Sequence, residues 1–95
     1  MNQVSLSARI AETSALRYTP AGLPALDLRL EHESEVLEAG QARQVKAAVK
    51  AVAIGSVAEG IVRQPVGSAW SFRGFLATPR NGKHTVLHIQ SFEPV

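Results

Sequence analysis

The 95-residue sequence predicts a single all-β domain, small enough to be a barrel closed on itself. Three observations predict it. Apolar residues alternate with polar ones in one segment after another, turn residues fall between those segments, and a glycine stands inside an otherwise apolar strand, as at a bulge or barrel corner. A chain this short buries only about 60% of its unfolded surface, so it packs economically or leans on a second copy of itself. Two cores do not fit, and residues 1–95 are read as one domain.

The elements follow in order. Val4, Leu6, Ala8 and Ile10 alternate with Ser5, Ser7 and Arg9, the two-residue period of a half-buried strand over 4–10. The stretch Tyr18-Thr19-Pro20-Ala21-Gly22-Leu23-Pro24 reads as a loop, because two prolines cannot donate to a ladder and Gly22 tolerates positive φ. Leu26, Leu28 and Leu30 alternate with Asp27, Arg29 and Glu31, so the period outvotes the leucines' helix preference and predicts a second strand. Residues 33–41 carry three glutamates and read as a long solvated connection.

The segment from Gln44 to Ile54 fits two periods. Val45, Val49 and Val52 suit a helix face, whereas Val45, Ala47, Val49 and Ala51 suit a strand; it is taken as the third strand, closed by Gly55. Val57 to Gln64 reads as a short helical turn or irregular crossing before Pro65. In the fourth strand, Ala69 to Ala77, the residues Trp70, Phe72, Gly74 and Leu76 share the expected core face, and Ser71, Arg73 and Phe75 the other. Asn81-Gly82, within Thr78 to Lys83, is a strong hairpin signal, and Thr85 to Phe92 forms the last strand. Five strands, with a helical turn between the third and fourth, fit the five-stranded Greek-key OB-fold barrel better than a seven-stranded sandwich.

Composition removes several function classes. There is no cysteine, hence no disulfide scaffold, thiolate metal site or Cys nucleophile. No apolar run approaches the ~20 residues of a membrane span, and the N-terminus has no secretory h-region, so a soluble cytoplasmic protein without a membrane partner is expected. Gly-x-Ser-x-Gly, His-Glu-x-x-His and Gly-x-x-x-x-Gly-Lys-Ser/Thr are absent, so the chain reads as a non-enzyme without a cofactor. His84 and His88 read as sharing one strand face at i and i+4 with no carboxylate in their segment, which is too little for a metal site.

The formal net charge of +2 hides an asymmetry. Residues 1–38 hold three basic and six acidic groups, and residues 39–95 hold seven basic and two acidic. A surface collecting the second set suits a phosphate backbone. Arg43, Lys46 and Lys50 are candidates to line a phosphate groove, and Arg80 and Lys83 flank the Asn-Gly turn on a hairpin tip. Tyr18, the only aromatic in a predicted loop, is a candidate to stack a base or to pack against the barrel rim. Trp70 and Phe72 are expected in the core, and Phe75 at an interface or against a base.

Several stretches, taken together, carry a resemblance. Asn2 to Ile10, Pro20-Ala21-Gly22-Leu23-Pro24 running into Leu30-Glu31-His32, Val66-Gly67-Ser68, Gly74-Phe75-Leu76-Ala77, Arg80-Asn81-Gly82 and Val86-Leu87-His88 closely resemble the family of primosomal replication protein N (PriB), over nearly the full length. The resemblance implies an OB-fold homodimer, related to bacterial single-stranded-DNA-binding proteins, that binds single strands. It implies a place in the replication-restart primosome with the helicase PriA and the loader-delivering protein DnaT, and no catalysis. Ordinary single-stranded-DNA-binding proteins add a linker and an acidic tail, whereas this sequence stops at Ser91-Phe92-Glu93-Pro94-Val95, which speaks against a general strand protector.

By position, the resemblance also assigns DNA contacts to Arg17 in the first loop, Arg43 before the third strand, and Arg80 and His84 in the last loop, with Lys83 adjacent. Gln41 and Lys46 stand where the best-known member has aromatic residues, and Glu12 and Glu33 where it has basic ones. Stacking is worth ~1–3 kcal/mol per base, so these differences shift binding toward electrostatics. The expected function is therefore a single-stranded DNA-binding accessory protein that scaffolds and stimulates PriA. The alternative is a protein-interaction adaptor for the helicase with weak DNA binding.

Overall fold

The computed structural model describes all residues from Met1 to Val95. Six strands and one helix follow the order β1 (Val4–Thr13), β2 (Arg17–Tyr18), β3 (Pro24–Glu38), β4 (Gln41–Ile54), α1 (Ser56–Val62), β5 (Ala69–Ala77) and β6 (Val86–Pro94). Five of them close a barrel. Strand order runs β1-β5-β6-β4-β3, and β1 returns to pair with β3. All pairings are antiparallel except β4 with β6, where Ala51, Val52 and Ala53 stand beside Leu87, His88 and Ile89 in parallel register. This is the OB-fold barrel expected from the sequence, with the helix between the third and fourth barrel strands.

Alternation places the core. Ala8, Ile10, Leu26, Leu28, Leu30, Ala51, Ala53, Phe72, Leu87 and Ile89 point inward, and α1 caps one end of the barrel with buried Ala58 and Ile61. Each large side chain so buried is worth ~1.5–3 kcal/mol over an exposed one. Trp70, Phe72 and Phe92 interlock, the first and last edge to face at 5.2 Å. Leu76, expected on the core face, lies near the end of β5 and is 42% exposed.

Two irregularities bend the strands. β1 skips Ala11 between its pairing of Ile10 with Leu30 and of Glu12 with Arg29, and so turns from β5 to β3. β6 skips Gln90 opposite Arg73 and Gly74. A Cβ on Gly74 would run into the backbone carbonyl oxygen of His88, so only glycine permits this approach.

The turns differ from expectation in an instructive way. Residues 33–41 are not a solvated connection: β3 and β4 pair residue for residue from Ala25 with Ile54 to Glu38 with Gln41, and their outer halves project as a two-stranded arm. Ala39 (φ 51°) and Gly40 (φ 79°) turn the chain with both central residues left-handed, the geometry of a tight hairpin. The glutamates tolerate this because cations face them: Arg43 Nη1 lies 2.6 Å from Glu38 Oε1, and Lys46 Nζ lies 4.0 Å from Glu33 Oε1.

Asn81-Gly82 forms no tight hairpin. Residues 78–85 form an exposed loop, within which the Gly82 N–H donates to the Pro79 carbonyl at 3.0 Å. Inside the expected first loop, β2 adds a two-residue ladder, Arg17 with Ala25 and Tyr18 with Pro24. No helix is long and apolar enough to cross a membrane.

Candidate nucleic-acid interface

On β3 and β4, residues alternate between the core and an outer face. Asp27, Arg29, Glu31 and Glu33 on β3 stand opposite Val52, Lys50, Ala48 and Lys46 on β4. The outer face of these two strands, flanked by the loop after β1 and the loop before β6, is where OB barrels hold oligonucleotides. Here it carries a depression of about 450 Å³, lined among others by Thr13, Ser14, Asp27, Arg29, Lys50 and Val86. Register makes it coherent: Glu12, Arg29 and Lys50 stand side by side on three neighbouring strands.

The structure separates the expected groove residues. Lys46 and Lys50 share the outer face, but Arg43 stands opposite Val36 on the other face of the arm, so the three do not line one groove. Strand alternation sends residues an odd number apart to opposite sides, and 43 differs from 46 by three. Arg17, in β2, is bound to Asp27 at 2.8 and 3.1 Å. Tyr18 beside it is 68% exposed and lines no part of the depression. His84 falls in the loop 78–85, not on a strand face with His88, which stacks on Phe75 within β6 and β5.

Ion pairing divides the cations more sharply than position does. Arg9, Arg17, Arg29, Arg43, Lys46 and Arg73 each have a carboxylate within 4.0 Å. Lys50, Arg63, Arg80 and Lys83 have none. Arg63 follows α1, outside the depression, whereas Lys50 lies in it, and the loop bearing Arg80 and Lys83 re-enters the barrel at Val86, on its rim. An unpaired cation meets a phosphate without first giving up a carboxylate.

Arg17 and Asp27 shift one another's titration. The guanidinium's hydrogen bonds hold the Asp27 carboxyl below its usual range, against a smaller opposing effect of burial, and Arg17 rises in turn. Arg29 and Val86 are among the lining residues that sequence reasoning did not single out, as are Thr13 and Ser14. Only the register of β3 with β1 and β4, and the parallel closure of β4 on β6, bring them together. No group of three or more His, Asp or Glu side chains could hold a metal ion.

Comparison with known proteins agrees with this architecture. Residues 2–91 match the family model described as "Another single-strand binding protein family". The chain is 50% identical over 91 residues to the replication restart protein PriB of Bordetella pertussis, covering 95% of this chain and 85% of that protein. The crystallised PriB of Ralstonia solanacearum superposes with a TM-score of 0.91 at 35% identity, covering 99% of this chain and 97% of that one. The single-stranded DNA binding protein of Thermus aquaticus superposes with a TM-score of 0.78 at 25% identity, over all of this chain and 50% of that one. The chain belongs to the PriB family of single-strand binding proteins.

Proposed function

We propose that this chain binds single-stranded DNA across the outer face of β3 and β4 and serves as an accessory protein of the replication-restart primosome, scaffolding and stimulating the helicase PriA and meeting DnaT. The family is one of binding proteins, not enzymes. The observation that supports the reading is that Lys50, a cation without a carboxylate partner, lines the depression, while Arg80 and Lys83, likewise without one, belong to the loop that re-enters the barrel at Val86. Lys46 shares the outer face with Lys50 and is proposed to extend this surface along the arm, whereas Arg43 lies on the arm's other face and Arg17, Tyr18 and His84 lie outside the lining of the depression. The relatives' name, replication restart protein, supports the cellular role and a cytoplasmic location.

A homodimer suits the free edge of β1. Its pairing with β3 begins only at Arg9, and the Ser7 carbonyl points away from β5, toward His32 Nδ1 at 2.6 Å. By the two-residue period Gln3 and Ser5 present their N–H and C=O groups on that same side, a template for a second copy.

Fluorescence anisotropy of labelled single-stranded DNA, at several salt concentrations and with or without purified PriA, tests the reading. Tight binding by the protein alone, with a log–log salt slope near −0.7 per phosphate, is expected. One observation favours the adaptor reading instead: six of the ten cationic side chains already sit in ion pairs. Negligible DNA binding with firm PriA binding would select it.

A further inference from the structure

We propose that Phe75 and His88 form a stacking site for one unpaired nucleobase; the inference rests on the single-strand reading above. The chain has five aromatic residues of the Phe, Tyr and Trp types. Trp70, Phe72 and Phe92 are committed to one another, and the Trp70 indole N–H donates to Ser68 Oγ at 2.9 Å. Tyr18 stands apart on β2. Phe75 alone belongs to the barrel's outer face, where it lies parallel to the imidazole of its cross-strand partner His88, with ring centroids 4.9 Å apart and planes 12° from parallel.

The pair borders a depression of about 290 Å³, shared with Val52, Ile54, Val57 and Gln90. Small-ligand sites begin at ~300 Å³, and a single base needs no more. Its lining holds no carboxylate, and the Gln90 amide at its rim offers a donor and an acceptor to a base edge. A base laid on the outer face of the ring pair, against apolar walls, makes the stacking contact by which aromatic side chains hold bases of any sequence.

Position makes a nucleobase the occupant. Val52 lies two residues beyond Lys50 on β4, and His88 two beyond Val86 on β6, so this depression adjoins the one bearing the unpaired lysine, ~6–7 Å along both strands. The loop joining the two strands that carry the rings brings Arg80, Lys83 and His84. A strand whose phosphates lie at Lys50 and this loop therefore has a base within reach of the rings.

The test compares oligothymidine with an abasic strand of equal length, both fluorescently labelled, at low salt, with wild type, Phe75→Leu, His88→Gln, the double variant and Phe75→Tyr. Wild type is expected to favour oligothymidine, the double variant to lose roughly tenfold on it and nothing on the abasic strand, and Phe75→Tyr to bind as wild type. His88→Gln, the mildest change, keeps the comparison valid if Phe75→Leu unfolds. Equal loss on both strands, or no loss on either, overturns the stacking site while leaving the phosphate-binding reading intact. Unchanged strand binding with lost self-association or PriA binding makes the patch a protein interface and also overturns it. Wild type that binds neither strand overturns the single-strand reading itself.

Discussion

Converting Lys50, Arg80 and Lys83 together to glutamine is expected to remove most of the salt dependence of single-strand binding, whereas converting Arg43 and Lys46 is expected to leave it nearly unchanged. The distinction follows from pairing. Arg43 lies 2.6 Å from Glu38, so a phosphate there replaces an existing partner and gains little, while Lys50, Arg80 and Lys83 have no carboxylate to leave. Each phosphate neutralised contributes about −0.7 to the slope of log affinity against log salt, so three contacts give about −2. Between 50 and 200 mM salt, such a slope weakens binding by roughly 20-fold, and the triple variant should lose that dependence. Anisotropy titration of a labelled oligonucleotide at four salt concentrations measures it. The exposed pairs of Arg43 and Lys46 are worth ~0–1 kcal/mol each and the other three cations have no pair to lose, so neither set should unfold the protein, as thermal unfolding checks. A slope flattened by the Arg43 and Lys46 changes but not by the triple change would refute the reasoning and move the phosphates onto the arm.

Gly74→Ala forces a Cβ against the His88 carbonyl and is expected to cost ~1–3 kcal/mol or more, read as a lower urea midpoint; an unaltered midpoint would contradict the close approach. Ala39→Gly relieves a left-handed alanine at φ 51° and is expected to stabilise the arm by up to about 1 kcal/mol, measured as slower hydrogen exchange of the Glu38 and Gln41 amides. Ser5→Pro removes an N–H from the free edge of β1 and is expected to shift a dimer toward monomer in sedimentation without loss of the protomer fold. The Asp27 carboxyl is held below its ordinary value, so the Arg17 pair stabilises fully above the unfolded carboxyl's ~3.9 and is lost as pH falls through the lower folded value. Arg17→Ala should move the Asp27 NMR titration upward; an unmoved titration would mean that the pair does not persist in solution.

The barrel was legible because its strands are half-buried. In the runs from Val4 to Ile10 and from Leu26 to Leu30, one face is apolar and the other polar, so the two-residue period reports both the strand and its core side. Gly74 within an apolar strand likewise marked a real irregularity. Most of the arm was not legible, because residues 33–43 leave the core and no burial pattern remains to reveal a strand. Its tight turn uses Ala39-Gly40, not the Asn81-Gly82 pair whose composition signals one.

The all-β class, the core face of the first two long strands and the family are legible in the residues alone, since each is written in local periodicity or in residue identities. Which cations remain free, and that Arg29, Lys50 and Val86 line one depression, emerge only once the barrel is closed. Those facts depend on strand register and on the parallel closure of β4 against β6. Both arise from contacts between residues distant in sequence, and a local pattern carries no trace of them.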